Sequence, residues 1–439
     1  MRRKCLSFYL LVLLLAYVSW VPFYYLQPLS LQDFSFSAVK YFPFLLCAIL
    51  IFAHLPFHVE RVGIVRPMDP LLWVYWLLNL ASLYNAEYPM VGMGKLFYFT
   101  ATGAALAYGI RSFGQDEVRK IPAVLVCLGS GVSCYGILTY VANDDFLWSG
   151  MYHETHYYSG VERVSSTIGN PIMLGAVLTL VLPFCIACAG SRSSTAGRLV
   201  FLMAALAALI CTVLTFARSA WISVGVVVFV WAVVYRKSWG HFIWRRRIFA
   251  ALVGVLLAVP ALQIFLGDSV ERAIYTAVEK AGSTFAQDPN VEFRIAQFKT
   301  TAEVIAYYPL GGVGFGNFTR LFERFKDEST PSLDLPNATH TTDNMYLMVI
   351  VETGLPSLLV LLSFFVTYLN WLRKRYIDST GDDTPMVLAV ITSTAGFLVN
   401  IFFWDGLNQP AVRILFWIII GLGFTIGNEV RKPAYEPSS

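Results

Sequence analysis

One histidine and three arginines are the side chains of this sequence with the clearest capacity for chemistry. His340 stands in NATHTTDN among polar neighbours, and an imidazole accepts a proton readily near neutral pH. Arg163 in GVERVSST, Arg218 in TFARSAW and Arg294 in VEFRIAQF each carry a planar guanidinium, which binds phosphate oxygens in pairs. This set suits a reaction in which a base accepts a proton while cations hold a diphosphate.

Two of these residues also have a purely structural interpretation. His340 could cap the helix predicted to begin near Tyr346, and Arg218 could extend to the lipid headgroups. Arg218 divides a run of apolar residues from Leu199 to Tyr235, which predicts two short helices that meet in a tight turn. An arginine at membrane depth is costly and usually functional, so we favour a functional role for it.

The polar segments show no pattern typical of a metal or nucleotide site. Asp144 and Asp145 are adjacent, so their side chains would diverge in an extended loop, and no HExxH or Walker lysine motif occurs. The glycine cluster GGVGFGNF lacks the strand–helix context of a dinucleotide fingerprint, and a close backbone turn is its expected role. We therefore expect metal-independent chemistry and no cofactor.

The composition places these residues in a membrane protein. Hydrophobic residues make up 57% of the 439 residues and charged residues only 14%, whereas a soluble domain has about a quarter charged. The outer surface must therefore be covered by lipid, and helices satisfy their own backbone hydrogen bonds there. The sequence predicts an all-α polytopic membrane protein, with membrane lipids and no nucleic acid among its partners.

Apolar runs of about 20 residues predict the membrane spans. Twelve segments meet this criterion, and the first is interpreted as a retained span, not as a cleaved signal peptide. The predicted spans are 5–26, 38–56, 69–86, 90–110, 121–142, 168–190, 199–216, 218–235, 248–267, 345–369, 386–404 and 412–428.

The distribution of lysine and arginine predicts the orientation of these spans. The lysine and arginine residues concentrate in every second connection between the spans, and short loops rich in basic residues stay in the cytoplasm. Both termini are then cytoplasmic, and loops 143–167 and 268–344 lie outside. We divide the chain into spans 1–9 (1–267), a large loop carrying chemistry (268–344), and spans 10–12 with the tail (345–439). Within the large loop, SVERAIYTAVEKAG and EFRIAQFKTTAEVIAYY predict short amphipathic helices near the membrane surface.

Three segments of the sequence, taken in chain order, resemble the bacterial O-antigen ligases within the wider group of O-antigen ligases and polymerases. TFARSAWISVGVVVFV is similar to the arginine-containing turn of the family. FRIAQFKTTAEVIAYYPLGGVGFGNF is similar to its arginine followed by a glycine turn, and THTTDNMYLMVIVETGLPSLLVLL to its histidine segment. The family commonly has His-Asn directly, whereas Thr341, Thr342 and Asp343 separate His340 from Asn344 here.

The resemblance implies a membrane glycosyltransferase of GT-C-like architecture. Such an enzyme would move a glycan from undecaprenyl diphosphate to a hydroxyl of the lipid A–core oligosaccharide, at the periplasmic face of the bacterial inner membrane. His340 would be the general base, and Arg163, Arg218 and Arg294 would bind the diphosphate, without metal and with inversion. Asn344, Gln297 and Arg320 are secondary candidates for the site.

Three alternatives remain open from the sequence. An O-antigen polymerase or a protein O-oligosaccharyltransferase would use the same lipid-linked donor with a different acceptor. A transporter or flippase belongs to another class, in which twelve spans are also typical. It would carry two related halves and ionisable residues near the midplane of the membrane, and the sequence shows neither.

Overall fold

The computed structural model describes residues 2–20, 38–54, 66–142, 157–158, 161–191, 194–236, 289–325, 341–379 and 383–426. The described chain is almost entirely helical, as predicted. In its first part the helices are α1 (Arg2–Trp20), α2 (Ala38–His54), α3 (Asp69–Ser82), α4 (Pro89–Thr102), α5 (Ala104–Arg111), α6 (Gln115–Val118) and α7 (Ile121–Ala142). A short antiparallel pair, β1 (Tyr157–Tyr158) and β2 (Val161–Glu162), follows.

The remaining helices form the second part of the chain. They are α8 (Pro171–Ser191), α9 (Thr195–Leu214), α10 (Arg218–Arg236), α11 (Pro289–Tyr307), α12 (Phe318–Phe325), α13 (Met345–Thr353), α14 (Leu355–Asp378), α15 (Asp383–Asn400) and α16 (Pro410–Thr425). Three 3-10 turns, Leu83–Asn85, Ser166–Ile168 and Gly406–Asn408, connect neighbouring helices. The predicted span 248–267 and the predicted helix in SVERAIYTAVEKAG lie outside the described residues.

Helices α8 and α16 form the centre of the bundle. Almost every residue of α8 is buried, as is every residue of α16, which fits their nearly continuous apolar sequences. Helix α15 packs between α8 and α10, and Ser393 donates a hydrogen bond from its hydroxyl to the carbonyl of Leu180 in α8. Buried helices that are apolar all round are expected in a membrane bundle.

Four helical segments among the described residues are long and apolar enough to cross a membrane. By length and composition they are Gln115–Ala142, Pro171–Ser191, Thr195–Leu214 and Leu355–Asp378. Shorter apolar helices cover Phe8–Trp20, Arg218–Val234 and Pro410–Thr425. These findings support a membrane protein, while the number of twelve spans stays a prediction.

Two predicted spans are broken in the structure. Segment 90–110 is divided at Gly103, where a Cβ atom would overlap the carbonyl oxygen of Phe99 and meet the indole of Trp417. Segment 345–369 is divided at Gly354, whose φ of 86° lies in the left-handed region. Hydropathy alone predicted each as one continuous helix, because it does not register the backbone contacts that interrupt them.

Three of the basic connections that the sequence assigned to one side meet at one end of the bundle. Arg66 donates to the carbonyl of Phe424, and Arg111 forms a 3.0 Å ion pair with Asp69. The guanidinium of Arg375 lies 4.1 Å from the ring centroid of Trp371. Helix α3 begins at this end and α14 ends at it, so the end of α3 and the start of α14 lie at the opposite end of the bundle.

Candidate functional site

The turn between α9 and α10 presents Arg218 at the start of a helix, as the sequence predicted. Helix α9 ends at Leu214, and Phe216 adopts a left-handed φ of 50° that reverses the chain within three residues. The Thr215 hydroxyl donates to the carbonyl of Thr212 and accepts from the backbone N–H of Ala217. A non-glycine residue in this conformation is strained, and such strain is concentrated at functional sites.

Arg163 is bound to this same turn. Its Nε donates a 2.9 Å hydrogen bond to the carbonyl of Thr215, and the next residue, Val164, donates its backbone N–H to the carbonyl of Leu214. The segment after β2 therefore lies along the end of α9. The structure brings two of the three predicted arginines, Arg163 and Arg218, to one turn.

Arg218 is half-buried and has no carboxylate partner in the described part of the chain. The ion pairs between described residues are Arg111–Asp69 and Arg324–Glu87, both remote from this turn in sequence. A guanidinium that is half-buried at a helix N-terminus without a carboxylate partner is electrostatically suited to an anion.

The antiparallel packing of α10 and α15 sets the level of Arg218 in the bundle. Trp231 donates from its indole N–H to the Thr392 hydroxyl at 3.0 Å, and Gly396 packs against the backbone of Ser223. Arg218 is five residues before Ser223, a rise of about 7.5 Å, and Asn400 is four residues after Gly396, a rise of about 6 Å. Arg218 therefore lies level with the end of α15.

The start of α13 is attached at that same level. The backbone N–H of Met345 donates to the carbonyl of Ile401, and the hydroxyl of Tyr346 donates to the carbonyl of Leu398. Asn344 caps α13, with its side-chain oxygen accepting from the backbone N–H groups of Tyr346 and Leu347. The polar segment that follows His340 is thus fixed beside the end of α15. His340 itself lies outside the described residues.

Asn344 has a structural role, the capping of α13, that the sequence alone does not distinguish from a role in substrate binding. Its side-chain oxygen is occupied by the helix cap, and only 6% of the residue is exposed. An Asn at this position stabilises a helix by about 1 kcal/mol. A role of Asn344 in substrate binding stays a prediction.

Arg294 lies on α11, a helix that the sequence predicted. The structure describes the backbone of Arg294 but not its side chain, so a contact of this side chain with a diphosphate stays a prediction. Gln297 is three residues further along and 1% exposed, and its side-chain oxygen has no hydrogen-bond partner in the described chain. The Thr300 hydroxyl, fully buried on the same helix, is also unpartnered. Buried polar groups without partners are rare in native structures and are expected where a ligand binds.

The glycine cluster forms the predicted close turn and docks α11 onto α13. The N–H groups of Val313 and Gly314 donate to the carbonyls of Val351 and Glu352, each at 2.9 Å. Gly312 has a φ of 64°, and a Cβ atom there would overlap the backbone of Glu352. Only glycine permits this approach, because any side chain would separate the two segments.

Glu352 and Lys95 hold the glycine turn from two sides. Lys95 donates from its ammonium to the carbonyl of Gly316 at 2.8 Å, and the Glu352 carboxylate faces both Lys95 and the backbone N–H groups of Gly316 and Phe318. Glu352 is 5% exposed. These partners are distant in the chain, so the sequence alone does not reveal the contacts.

Arg320, a secondary candidate, lies on α12 beside this turn. Its guanidinium lies 5.4 Å from the ring centroid of Tyr88, and its Nη2 is buried without a hydrogen-bond partner in the described chain. The backbone N–H of Tyr88 in turn donates to the side-chain oxygen of Asn317. Arg320 thus packs on the α3–α4 connection, and a role in substrate binding stays a prediction.

We expect Gly354→Ala to weaken the attachment of α13 strongly. Its left-handed φ costs a non-glycine residue about 1 to 3 kcal/mol, and the added Cβ atom would overlap the backbone of Leu310. The thermal unfolding midpoint in detergent should fall by several degrees. Gly225→Ala, in an open position of helix α10, is the control and should leave it unchanged or raise it. Equal midpoints for both variants would contradict this interpretation of the turn.

Asp405, in the connection between α15 and α16, is a buried carboxyl that sequence reasoning missed. Burial, followed by the nearby carboxylate of Asp343, raises the pKa of Asp405 to about 6. Its Oδ2 accepts a 3.2 Å hydrogen bond from the Asn408 amide. Two acidic side chains therefore face each other beside the segment that follows His340.

Asp405→Asn should raise stability at neutral pH. Between about pH 3.9 and 6 the native state keeps a proton that the unfolded chain loses, so stability falls as pH rises through this window. Above pH 6 the loss of folding stability is complete and reaches about 3 kcal/mol, because the pKa of Asp405 is raised to about 6. The variant should unfold at a higher temperature than the parent at pH 7.5, with the difference vanishing near pH 4. Asp116→Asn, at an exposed position, is the control.

The geometry is that of a helical bundle consistent with a membrane protein, with an arginine-bearing turn and a docked glycine turn at one end. Residues 200–362 match the sequence family described as O-Antigen ligase. This match covers the Arg218 turn, α11, the glycine turn and α13, so this part of the chain is similar to the O-antigen ligase family. The resemblance drawn from the sequence is confirmed. No curated protein matches the chain.

Proposed function

We propose that this protein is a membrane glycosyltransferase of the O-antigen ligase type. It would transfer a glycan from undecaprenyl diphosphate to a sugar hydroxyl of the lipid A–core oligosaccharide. The supporting observation is the common level of Arg218 and the start of α13. Arg163 is attached to the same turn as Arg218 through the Thr215 carbonyl. Arg163, Arg218 and the start of α13 thus lie toward the same end of the bundle, which supports a shared site there.

The chemistry requires two groups from the protein. A sugar hydroxyl becomes a competent nucleophile when a base removes its proton as it attacks the anomeric carbon, and His340 is the candidate base. The bond from that carbon to the diphosphate breaks, and the lipid diphosphate leaves with the electron pair. Arg163, Arg218 and Arg294 would stabilise the developing negative charge. A single displacement without a protein nucleophile inverts the anomeric centre.

The sidedness of the bundle supports a site outside the cytoplasm. Arg66, Arg111 and Arg375 meet at one end, and short basic loops remain in the cytoplasm. Arg218 and the glycine turn are at the opposite end. We infer a multi-pass protein of the bacterial inner membrane, with cytoplasmic termini and a site that both lipid substrates reach from the periplasmic leaflet.

Deletion of the gene and analysis of lipopolysaccharide by gel electrophoresis test this proposal. Loss of a ligase leaves bare core while lipid-linked polymer accumulates. Loss of a polymerase leaves core carrying a single repeat unit, and loss of a flippase leaves no lipid-linked glycan on the outer leaflet. Unchanged lipopolysaccharide together with loss of protein glycosylation would identify an O-oligosaccharyltransferase. Restoration of the normal ladder by the intact gene is the control.

A further inference from the structure

A large apolar cavity lies apart from Arg163 and Arg218. Its volume is about 900 Å³, within the range of ligand sites, and α3, α4, α5, α13, α14 and α16 contribute to its wall. Apolar and aromatic side chains dominate the lining; among them are Trp73, Trp76, Phe99, Phe315, Leu361 and Trp417. The wall follows α3 from Asp69 to Asn79, a rise of about 15 Å. This extended shape suits a hydrocarbon chain that lies along the helices.

Three buried polar groups in the wall of this cavity lack hydrogen-bond partners in the described chain. They are Oδ1 of Asn79, Oε1 of Glu352 and Nη2 of Arg413, in residues that are 3%, 5% and 1% exposed. Each such atom costs free energy unless another molecule completes its hydrogen bonds. All three belong to a single cavity, which points to a ligand with a polar part.

Arg413 is the cationic group of this set, and its hydrogen-bond partners among the described residues are neutral. Its Nε donates to the Thr102 hydroxyl at 2.9 Å, and its Nη1 donates to the carbonyls of Leu407 and Asn408. Its guanidinium lies 3.9 Å from the ring centroid of Phe99. No carboxylate of a described residue pairs with it. A buried arginine without a counter-ion in a membrane helix is costly, and an anionic ligand would offset that cost.

The polar end of the cavity is close to the segment that follows His340. Arg413 is the fourth residue of α16, at the end of that helix opposite Phe424 and the basic loops. Met345, the first residue of α13, is also part of the wall. Arg163 and Arg218 are not part of the wall, so the cavity is separate from the α9–α10 turn.

We propose that this cavity holds a hydrocarbon chain of the acceptor, a phosphorylated glycolipid, and that Arg413 attracts its phosphate. The assignment to the acceptor rests on the proposed function, because the arginines of the α9–α10 turn are reserved there for the donor diphosphate. A lipid held in this way would present its sugar hydroxyls beside the α13 start. The site itself is testable without any transfer reaction.

Native mass spectrometry of the full chain in detergent measures this binding directly. The probes are bisphosphorylated lipid A, the same lipid with its phosphates removed, and undecaprenyl phosphate. Removal of the phosphates should lower retention by the parent protein at least about tenfold, as should Arg413→Gln. Ala105→Trp fills the cavity from α5 and should lower retention of both forms of lipid A. Arg324→Gln, at an exposed position, is the matched control and should bind normally.

Several outcomes would overturn the proposal. Equal retention of phosphorylated and dephosphorylated lipid A by the parent protein would do so even if Arg413→Gln failed to fold. Normal binding by a folded Arg413→Gln would do so as well. Retention of undecaprenyl phosphate instead of lipid A, dependent on Arg413, would reassign the cavity to the donor. Arg413-dependent binding of lipid A in a chain whose deletion leaves lipopolysaccharide unchanged would contradict only the proposed function.

Discussion

His340→Ala should abolish glycan transfer while the protein is still made and inserted. Removing a general base costs about 10² to 10⁴ in rate, because the acceptor hydroxyl then attacks with its proton still attached. Complementation of a deletion strain with this variant should leave bare core on the gel.

The matched control for this variant is His241→Ala, in the connection that the charge pattern assigns to the cytoplasm. It changes the same residue type at the opposite side of the membrane and should ligate normally. A normal ladder from His340→Ala, with membrane levels equal to those of the control, would remove the general base from the mechanism. Loss of the protein from the membrane would instead show that His340 stabilises the fold.

The sequence predicted the helices well where hydropathy alone determines them. The predicted segment 121–142 coincides with α7, and the predicted segment 218–235 coincides with α10 to within one residue. Arg218 correctly marked the end of one helix and the start of the next, because a charge inside an apolar run has few tolerated positions. The helix over α11 was also predicted, from the spacing of its apolar residues.

The sequence did not reveal the contacts that hold the site together, because their partners are far apart in the chain. Lys95 and the carbonyl of Gly316 are separated by 221 residues, and Arg413 and Thr102 by 311. Arg413 had a usable signal, since it is a charge inside an apolar run, as Arg218 is. The break at Gly354 depends on the approach of Leu310, which no local pattern encodes.

The depth of Arg218 in the bundle is set by contacts between helices, which the sequence alone does not reveal. Sequence placed Arg218 and His340 on one side of the membrane, through the alternation of basic loops. The sequence could not place Arg218 and the start of α13 at one depth in the bundle. The hydrogen bond of Trp231 to Thr392 and the attachment of Met345 to Ile401 supply that register. The candidate site therefore depends on α15, a helix without a predicted site residue.

Arg218→Lys should reduce transfer by about 10- to 100-fold although the charge is kept. Lysine loses the planar fork that binds two phosphate oxygens, and a hydrogen bond to a charged group is worth about 1.5 to 3 kcal/mol. Arg163→Lys should also impair transfer, because it loses the Nε contact that attaches it to the Thr215 carbonyl.

If Arg163 and Arg218 act on one diphosphate, the double variant should lose less transfer activity than the product of the two single effects. Rates measured with purified protein and lipid-linked glycan test this. Arg198→Lys, near the start of α9 and away from the turn, is the control. Unchanged rates for Arg218→Lys, or strictly multiplicative losses in the double variant, would show that these two arginines do not share a substrate.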